Sequence, residues 1–156
     1  MSGPGRGPEG AVTVTDLLRG EHGALYALFD AIGQLLDAGD DPARARVAGE
    51  LLRPVLASHA GLEDGLLLEA LEGADPGPLA AMQEEHRGIE RLLEEIGREE
   101  DDVRVRELLE ELLATARDHF EREEWAAFPY AESRIEEASL RRLGVVWAER
   151  RGVHFD

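Results

Sequence analysis

Apolar residues recur at helical spacing over most of this chain. In "VTDLLRGEHGALYALFDAIGQLL" they return every three or four positions, which predicts a helix over 15–37 with Thr15 as its N-cap. "AGDDP" ends that helix and begins the next. A second helix is predicted over 42–72, with Pro42 in its first turn and Pro54 as an internal kink or restart. "GADPGP" is a clear break. Two more helices follow over 78–100 and 102–128, where Pro129 kinks or ends the pattern, and a short one over 139–150. No stretch alternates with the period of a strand. Short loops between long helices imply antiparallel neighbours. The expected fold is therefore all-α, an up-down-up-down four-helix bundle with a short C-terminal extra helix. By domain, 12–138 form the bundle and 139–156 the extra helix and tail. Residues 1–11, rich in Gly and Pro, read as a disordered tail and not a signal peptide.

Composition narrows the function. The chain has 156 residues, enough for one domain with a real core. Hydrophobic residues make up 43% and aromatics only 5%, so packing falls to Leu, Ala and Val. The formal charge of −17 argues against nucleic acid and against an anionic membrane surface, both of which select clustered Lys and Arg. No segment approaches the roughly 18 apolar residues of a membrane helix. Cysteine is absent, which removes disulfides and thiolate ligands and agrees with a cytoplasmic protein.

Against that acidic background the histidines stand out. His59 precedes Glu63, His86 precedes Glu90 and His119 precedes Glu123, each by four residues, so each pair shares a helix face. Counting from the helix ends at roughly 1.5 Å per residue, His22 and His59 both lie about 22–26 Å from the loop they share. The next two pairs agree to within roughly 8 Å. His22, His59, His86 and His119 are thus expected at one level, one from each helix. They also interrupt apolar stripes: Leu18, Leu25 and Phe29 flank His22, Leu52, Leu56 and Leu66 flank His59, and Leu112, Ala116 and Phe120 flank His119. Inward carboxylates beside them would be costly without a cation. A lone inward histidine is ordinarily a hydrogen-bonded core residue. Four at one level, three with the same partner, point to a metal site.

Imidazoles with carboxylates suit iron, manganese or zinc. Four His and three Glu are too many for one ion and suit two that share a carboxylate bridge. The segments "EHGALYALF" with His22, "SHAGLEDGLLLEAL" with His59 and Glu63, "EEHRGIERL" with His86, and "HFEREEWAAFP" with His119 and Glu123 resemble the hemerythrin-like, or HHE cation-binding, family over about residues 15–132. The resemblance implies a four-helix bundle around two iron ions, a non-haem di-iron centre with an oxo or hydroxo bridge. It implies His22, His59, His86 and His119 as terminal ligands, and Glu63 and Glu123 as carboxylate ligands, at least one of them bridging. Glu124 is the alternative to Glu123.

The sequence departs from the family at one position. Oxygen-carrying hemerythrins have a histidine where this chain has Glu90. A third carboxylate ligand there would stabilise ferric iron and compete for the oxygen position, which argues against reversible oxygen carriage. Tyr26, one turn after His22, is expected at the site as a phenolate ligand or a donor to a bound peroxide; the other reading is a core tyrosine. Gly23, Gly61 and Gly88 would make room for a small ligand or let helices approach. Trp125 and Phe128 are expected to pack the end of the bundle, and His154 to be solvated.

The resemblance implies a di-iron protein that reacts with or senses hydrogen peroxide, nitric oxide or dioxygen; no flavin, haem or nucleotide motif is visible, so an electron donor would be a separate partner. The alternative is a non-enzymatic oxygen or iron carrier, or an iron-dependent sensor. A metal-free acidic interaction protein is a third reading.

Overall fold

A computed structural model describes residues 12–39 and 41–154. The predicted tail over 1–11 lies outside the described residues. Helix α1 spans Val14–Asp37. Its N-cap is Thr13, two residues before the predicted Thr15, because Thr13 is extended and its side chain accepts a hydrogen bond from the Asp16 amide. Thr15 is instead buried inside the first turn. Helix α2 spans Ala43–Glu63 and runs through Pro54 without a break. It passes into a π-helical turn over Asp64–Leu68.

Helix α3 spans Pro78–Arg98 and starts from Gly77, whose φ of 51° favours glycine. A Cβ at Gly77 would also meet the Tyr130 ring at 2.6 Å. Helix α4 spans Asp102–Arg122, capped by the Asp101 side chain on the Val103 amide. Of the two outcomes expected at Pro129, a kink or an end, the chain does not take the second: helical structure continues past it. A second π-helical turn over Glu123–Ala127 carries α4 into α5, Phe128–Arg134, with Pro129 in the first turn of α5, where the missing N–H is tolerated. Helix α6, Glu137–Arg151, is longer than predicted and stops at Gly152 in the left-handed conformation. The described residues contain no strand, and no helix among them is long and apolar enough to cross a membrane.

Two apolar clusters fill the interior. One holds Leu25, Phe29, Leu52, Ile89, Leu109 and Phe120 among others. The second holds Leu18, Leu66, Leu67, Leu79, Met82 and Phe128 among others. Along α1 the second cluster comes first, then His22, then the first cluster; α3 has the same order around His86. Along α2 the order is reversed around His59; along α4 the first cluster runs to Phe120, just past His119, and the second follows in the π-helical turn and α5. The four histidines, all buried, therefore form a polar layer between two dry ones. Helix α6 packs on α1, and α2 packs on α1, α3 and α4.

Candidate metal centre

Six buried side chains converge in that layer. Ligand atoms of His22, His59, Glu63 and Glu123 lie within 4.8 Å of one another, and so do those of Glu63, His86, His119 and Glu123. Both carboxylates belong to both groups. Glu63 Oε1 is 2.7 Å from His59 Nε2 and 3.3 Å from His22 Nε2, while its Oε2 is 3.0 Å from His86 Nε2. Glu123 Oε2 is 3.0 Å from His22 Nε2, and its Oε1 is 2.5 Å from His119 Nε2 and 3.2 Å from His86 Nε2.

The local fold explains this convergence. The i,i+4 spacing stacks Glu63 over His59 and Glu123 over His119 on one helix face. The two π-helical turns begin just after Glu63 and at Glu123. Such turns interrupt α-helices frequently at functional sites.

All four Nε2 atoms point into the centre, because each Nδ1 is held from outside by a carboxylate. His59 Nδ1 donates to Glu21 at 2.6 Å, His86 Nδ1 to Asp64 at 2.9 Å, His119 Nδ1 to Glu85 at 2.6 Å and His22 Nδ1 to Glu124 at 3.2 Å. The pattern closes on itself. Each acid sits beside a central residue of its own helix and serves the histidine of the next: α1 to α2, α2 to α3, α3 to α4, and the end of α4 back to α1. A proton held at Nδ1 leaves the Nε2 lone pair for a cation.

The donor set tests well against a cation. His22 Nε2 and His59 Nε2 lie 3.0 Å apart. With both Nδ1 atoms protonated, two lone pairs face each other there, an unfavourable arrangement unless a positive charge lies among them. His119 Nε2 and Glu123 Oε2 are buried without a hydrogen-bond partner, despite ion-pair distances to their neighbours. A buried polar atom left so costs about 1–3 kcal/mol.

In the metal-free protein, protons take the cation's role. Burial disfavours the charged form of His22, yet hydrogen bonds with Glu123 and Glu63 outweigh it and push its pKa up to about 9. His59 also rises to about 9 against burial, through the Glu63 charge and the Glu21 hydrogen bond. His86 rises to about 11, against burial, through Asp64, Glu123 and Glu63. Burial pushes Glu63 up, but the His59 charge and three histidine hydrogen bonds hold it well below the usual carboxylate range. Glu21 is likewise lowered against burial by His59 and Arg151.

The remaining expected residues fall elsewhere. Glu90 is exposed and belongs to neither group. It lines a cavity of about 530 Å³ that reaches His59, His86 and His119 past Leu56, Ile89 and Phe120. Arg53 and Arg87 line the same cavity and are exposed like Glu90. Tyr26 is half-buried; its ring meets Phe120 edge-on at 5.8 Å, with the Arg117 guanidinium 5.8 Å from its centroid. Phe120 itself stacks on His22 at 4.1 Å. A Cβ added at Gly23 or Gly61 meets nothing within 4 Å, so close helix approach does not explain those glycines. Trp125 is 88% exposed and does not pack the bundle end, whereas Phe128 is fully buried. His154 is exposed.

The Nδ1 partners Glu21, Asp64, Glu85 and Glu124 were not predicted. A signal for them exists in the sequence. "EH" occurs at 21–22 and 85–86, and His-x-x-x-Glu is followed by a second acid at both 63–64 and 123–124.

A family model for the hemerythrin HHE cation-binding domain matches residues 13–131. No curated protein and no solved structure matches the chain. The matched span covers most of the chain and includes every residue of the converging groups, so the chain belongs to the hemerythrin HHE cation-binding family.

Proposed function

We propose that this chain is a non-haem di-iron protein that reacts with or senses a small oxidant: hydrogen peroxide, nitric oxide or dioxygen. His22, His59, Glu63 and Glu123 would hold one iron, and His86, His119, Glu63 and Glu123 the other. The observation that carries this reading is the sharing of two buried carboxylates by two histidine pairs. Two histidines with carboxylate and open positions are a donor set suited to non-haem iron. Iron held there supplies Lewis acidity and one-electron redox chemistry.

The chain's own residues supply the rest. Glu63 and Glu123 bring four oxygens between the histidine pairs. Glu21, Asp64, Glu85 and Glu124 keep protons at Nδ1 and so keep Nε2 inward. The apolar clusters on either side exclude water. The cavity past Ile89 and Phe120 is the path by which a small molecule reaches the histidines, and Arg53, Arg87 and Glu90 set its charge. Tyr26 and Glu90 stand outside the ligand set we propose. The reading includes an up-down-up-down arrangement of α1 to α4, supported by the alternating order of the two clusters along them. It also includes a cytoplasmic setting, argued from composition, and a separate electron donor, argued from the lack of any visible flavin, haem or nucleotide motif.

The alternative is a carrier, or a sensor whose fold depends on iron, a reading favoured by the orphaned buried His119 Nε2 and Glu123 Oε2. Metal analysis with an ultraviolet–visible spectrum of aerobically purified protein tests the centre. Two irons per chain with charge-transfer bands are expected; a colourless chain that stays metal-free after iron loading overturns it. Peroxide turnover then separates a reactive centre from a carrier or sensor.

A further inference from the structure

Helix α6 lies wholly outside the residues matched by the family model. Its inner face carries Leu140, Gly144, Trp147, Ala148 and Arg151 at helical spacing, and it packs along α1. The approach is close: a Cβ at Gly144 would meet the Val12 carbonyl oxygen at 2.2 Å. At the end of that face two side chains converge on one carboxylate with three donor atoms. Trp147 Nε1 donates to Glu21 Oε1 at 2.8 Å, and Arg151 donates to Glu21 Oε1 through Nε at 2.6 Å and to Oε2 through Nη2 at 3.1 Å. Arg151 Nη1 also donates to Ser58 Oγ, next to His59. Glu21 Oε2 in turn accepts the Nδ1 proton of His59.

The corresponding carboxylate in the other half is held differently. Glu85 receives Arg122 Nε at 2.6 Å, and Arg122 belongs to α4, one turn beyond the His119 that Glu85 serves. The carboxylate that serves His119 is therefore clamped from within α3–α4, while the one that serves His59 takes its clamp from a separate helix.

We infer that α6 is a working part of the metal centre, with Arg151 and Trp147 as positioning residues that act through Glu21 on His59 and so set the affinity of the His22–His59 half alone. The inference rests on the metal-centre reading above. A carboxylate fixed by three donors cannot rotate away from His59, so the imidazole keeps its tautomer and its Nε2 stays inward. Loss of such an outer partner commonly lowers metal affinity by about 10–100-fold.

The test is a titration of metal-free full-length protein with ferrous iron under anaerobic conditions, against a competing chromophoric chelator. Wild type, Glu21→Ala, Arg151→Gln and the double variant are compared, with Arg122→Gln as the counterpart in the other half. Wild type should take two equivalents. Glu21→Ala should weaken one of them by about 10–100-fold, and Arg151→Gln should weaken the same one. The double variant should match Glu21→Ala alone, since a residue that acts only through Glu21 has nothing left to act on. A merely structural Arg151 would add its effect instead. Trp147→Phe, which removes one donor and keeps the ring, carries the same test if Arg151→Gln does not fold. Trp147 fluorescence, read in a Trp125→Phe background, should change with the first-affected equivalent only. Unchanged affinities in both α6 variants, or additive effects in the double variant, overturn the inference. A wild-type chain that takes up no iron overturns the metal-centre reading itself, before any variant is compared, and the inference with it.

Discussion

Glu85 adjoins His86 in the chain but serves a different helix: its Oε2 accepts the Nδ1 proton of His119 at 2.6 Å. The same displacement by one helix holds for Glu21, Asp64 and Glu124. Replacing Glu85 by Ala should therefore disturb His119, not its neighbour in sequence. Iron affinity of the His86–His119 half should fall by about 10–100-fold. Chelator competition measures this, and an effect confined to the His22–His59 half would contradict it.

Removal of a shared carboxylate should differ in kind from removal of a histidine. Glu63→Ala and Glu123→Ala each strip an oxygen from both groups, so both irons should be lost together. His59→Ala or His86→Ala should leave the opposite group able to retain metal. Glu90→Gln should leave iron content at the wild-type value, because Glu90 is exposed and outside both groups. Iron per chain by elemental analysis checks all five variants; a loss of iron in Glu90→Gln would return Glu90 to the ligand set.

The metal-free protein should lose stability as pH rises. His22 and His59 are pushed up to about 9 and His86 to about 11, from an ordinary value of 6.5. A raised folded-state pKa contributes stability that is complete below the unfolded value and disappears as pH passes the folded one. The thermal midpoint of the metal-free chain should thus fall as pH rises from about 6.5 to about 11. Iron-loaded protein should be flat over that range, since its histidines carry no proton at Nε2. Glu63, held low, gives the opposite limb: its contribution disappears in acid, below the ordinary carboxylate value of 4.5. Melting curves against pH, with and without iron, read both limbs.

Phe120 stacks on His22 at 4.1 Å and meets His59 edge-on at 5.3 Å. It is 1% exposed. Phe120→Ala should cost about 3–5 kcal/mol in stability and speed iron release, because two imidazoles lose the wall that fixes their planes. Phe120→Leu should retain most of the stability. Urea unfolding and the rate of iron transfer to a chelator separate the two effects.

The cavity past Ala60 and Ile89 offers a test of access that leaves the metal untouched. Ala60→Phe should slow the reaction of the iron-loaded protein with peroxide while iron content stays at the wild-type value. Equal rates in the two proteins would place the path of entry elsewhere.

The helices, the level of the four histidines and their inward facing follow from the order of residues alone. The physical reason is that rise and period are properties of an α-helix alone, so counting residues locates a side chain along and around its own axis. That order did not determine which acid meets which histidine. Glu90 stands at the same spacing from His86 as Glu63 from His59, yet it is exposed while Glu63 is buried. Four residues advance a helix by about 400°, so the later residue is offset by about 40°. Whether that offset turns inward depends on how the helix is rotated against its neighbours, which packing decides. Which acid holds which Nδ1 was hidden for the same reason, since each acid comes from the preceding helix around the centre. The clamp from α6 to Glu21 spans 130 positions of the chain between Glu21 and Arg151, and only the docking of α6 on α1 brings them together.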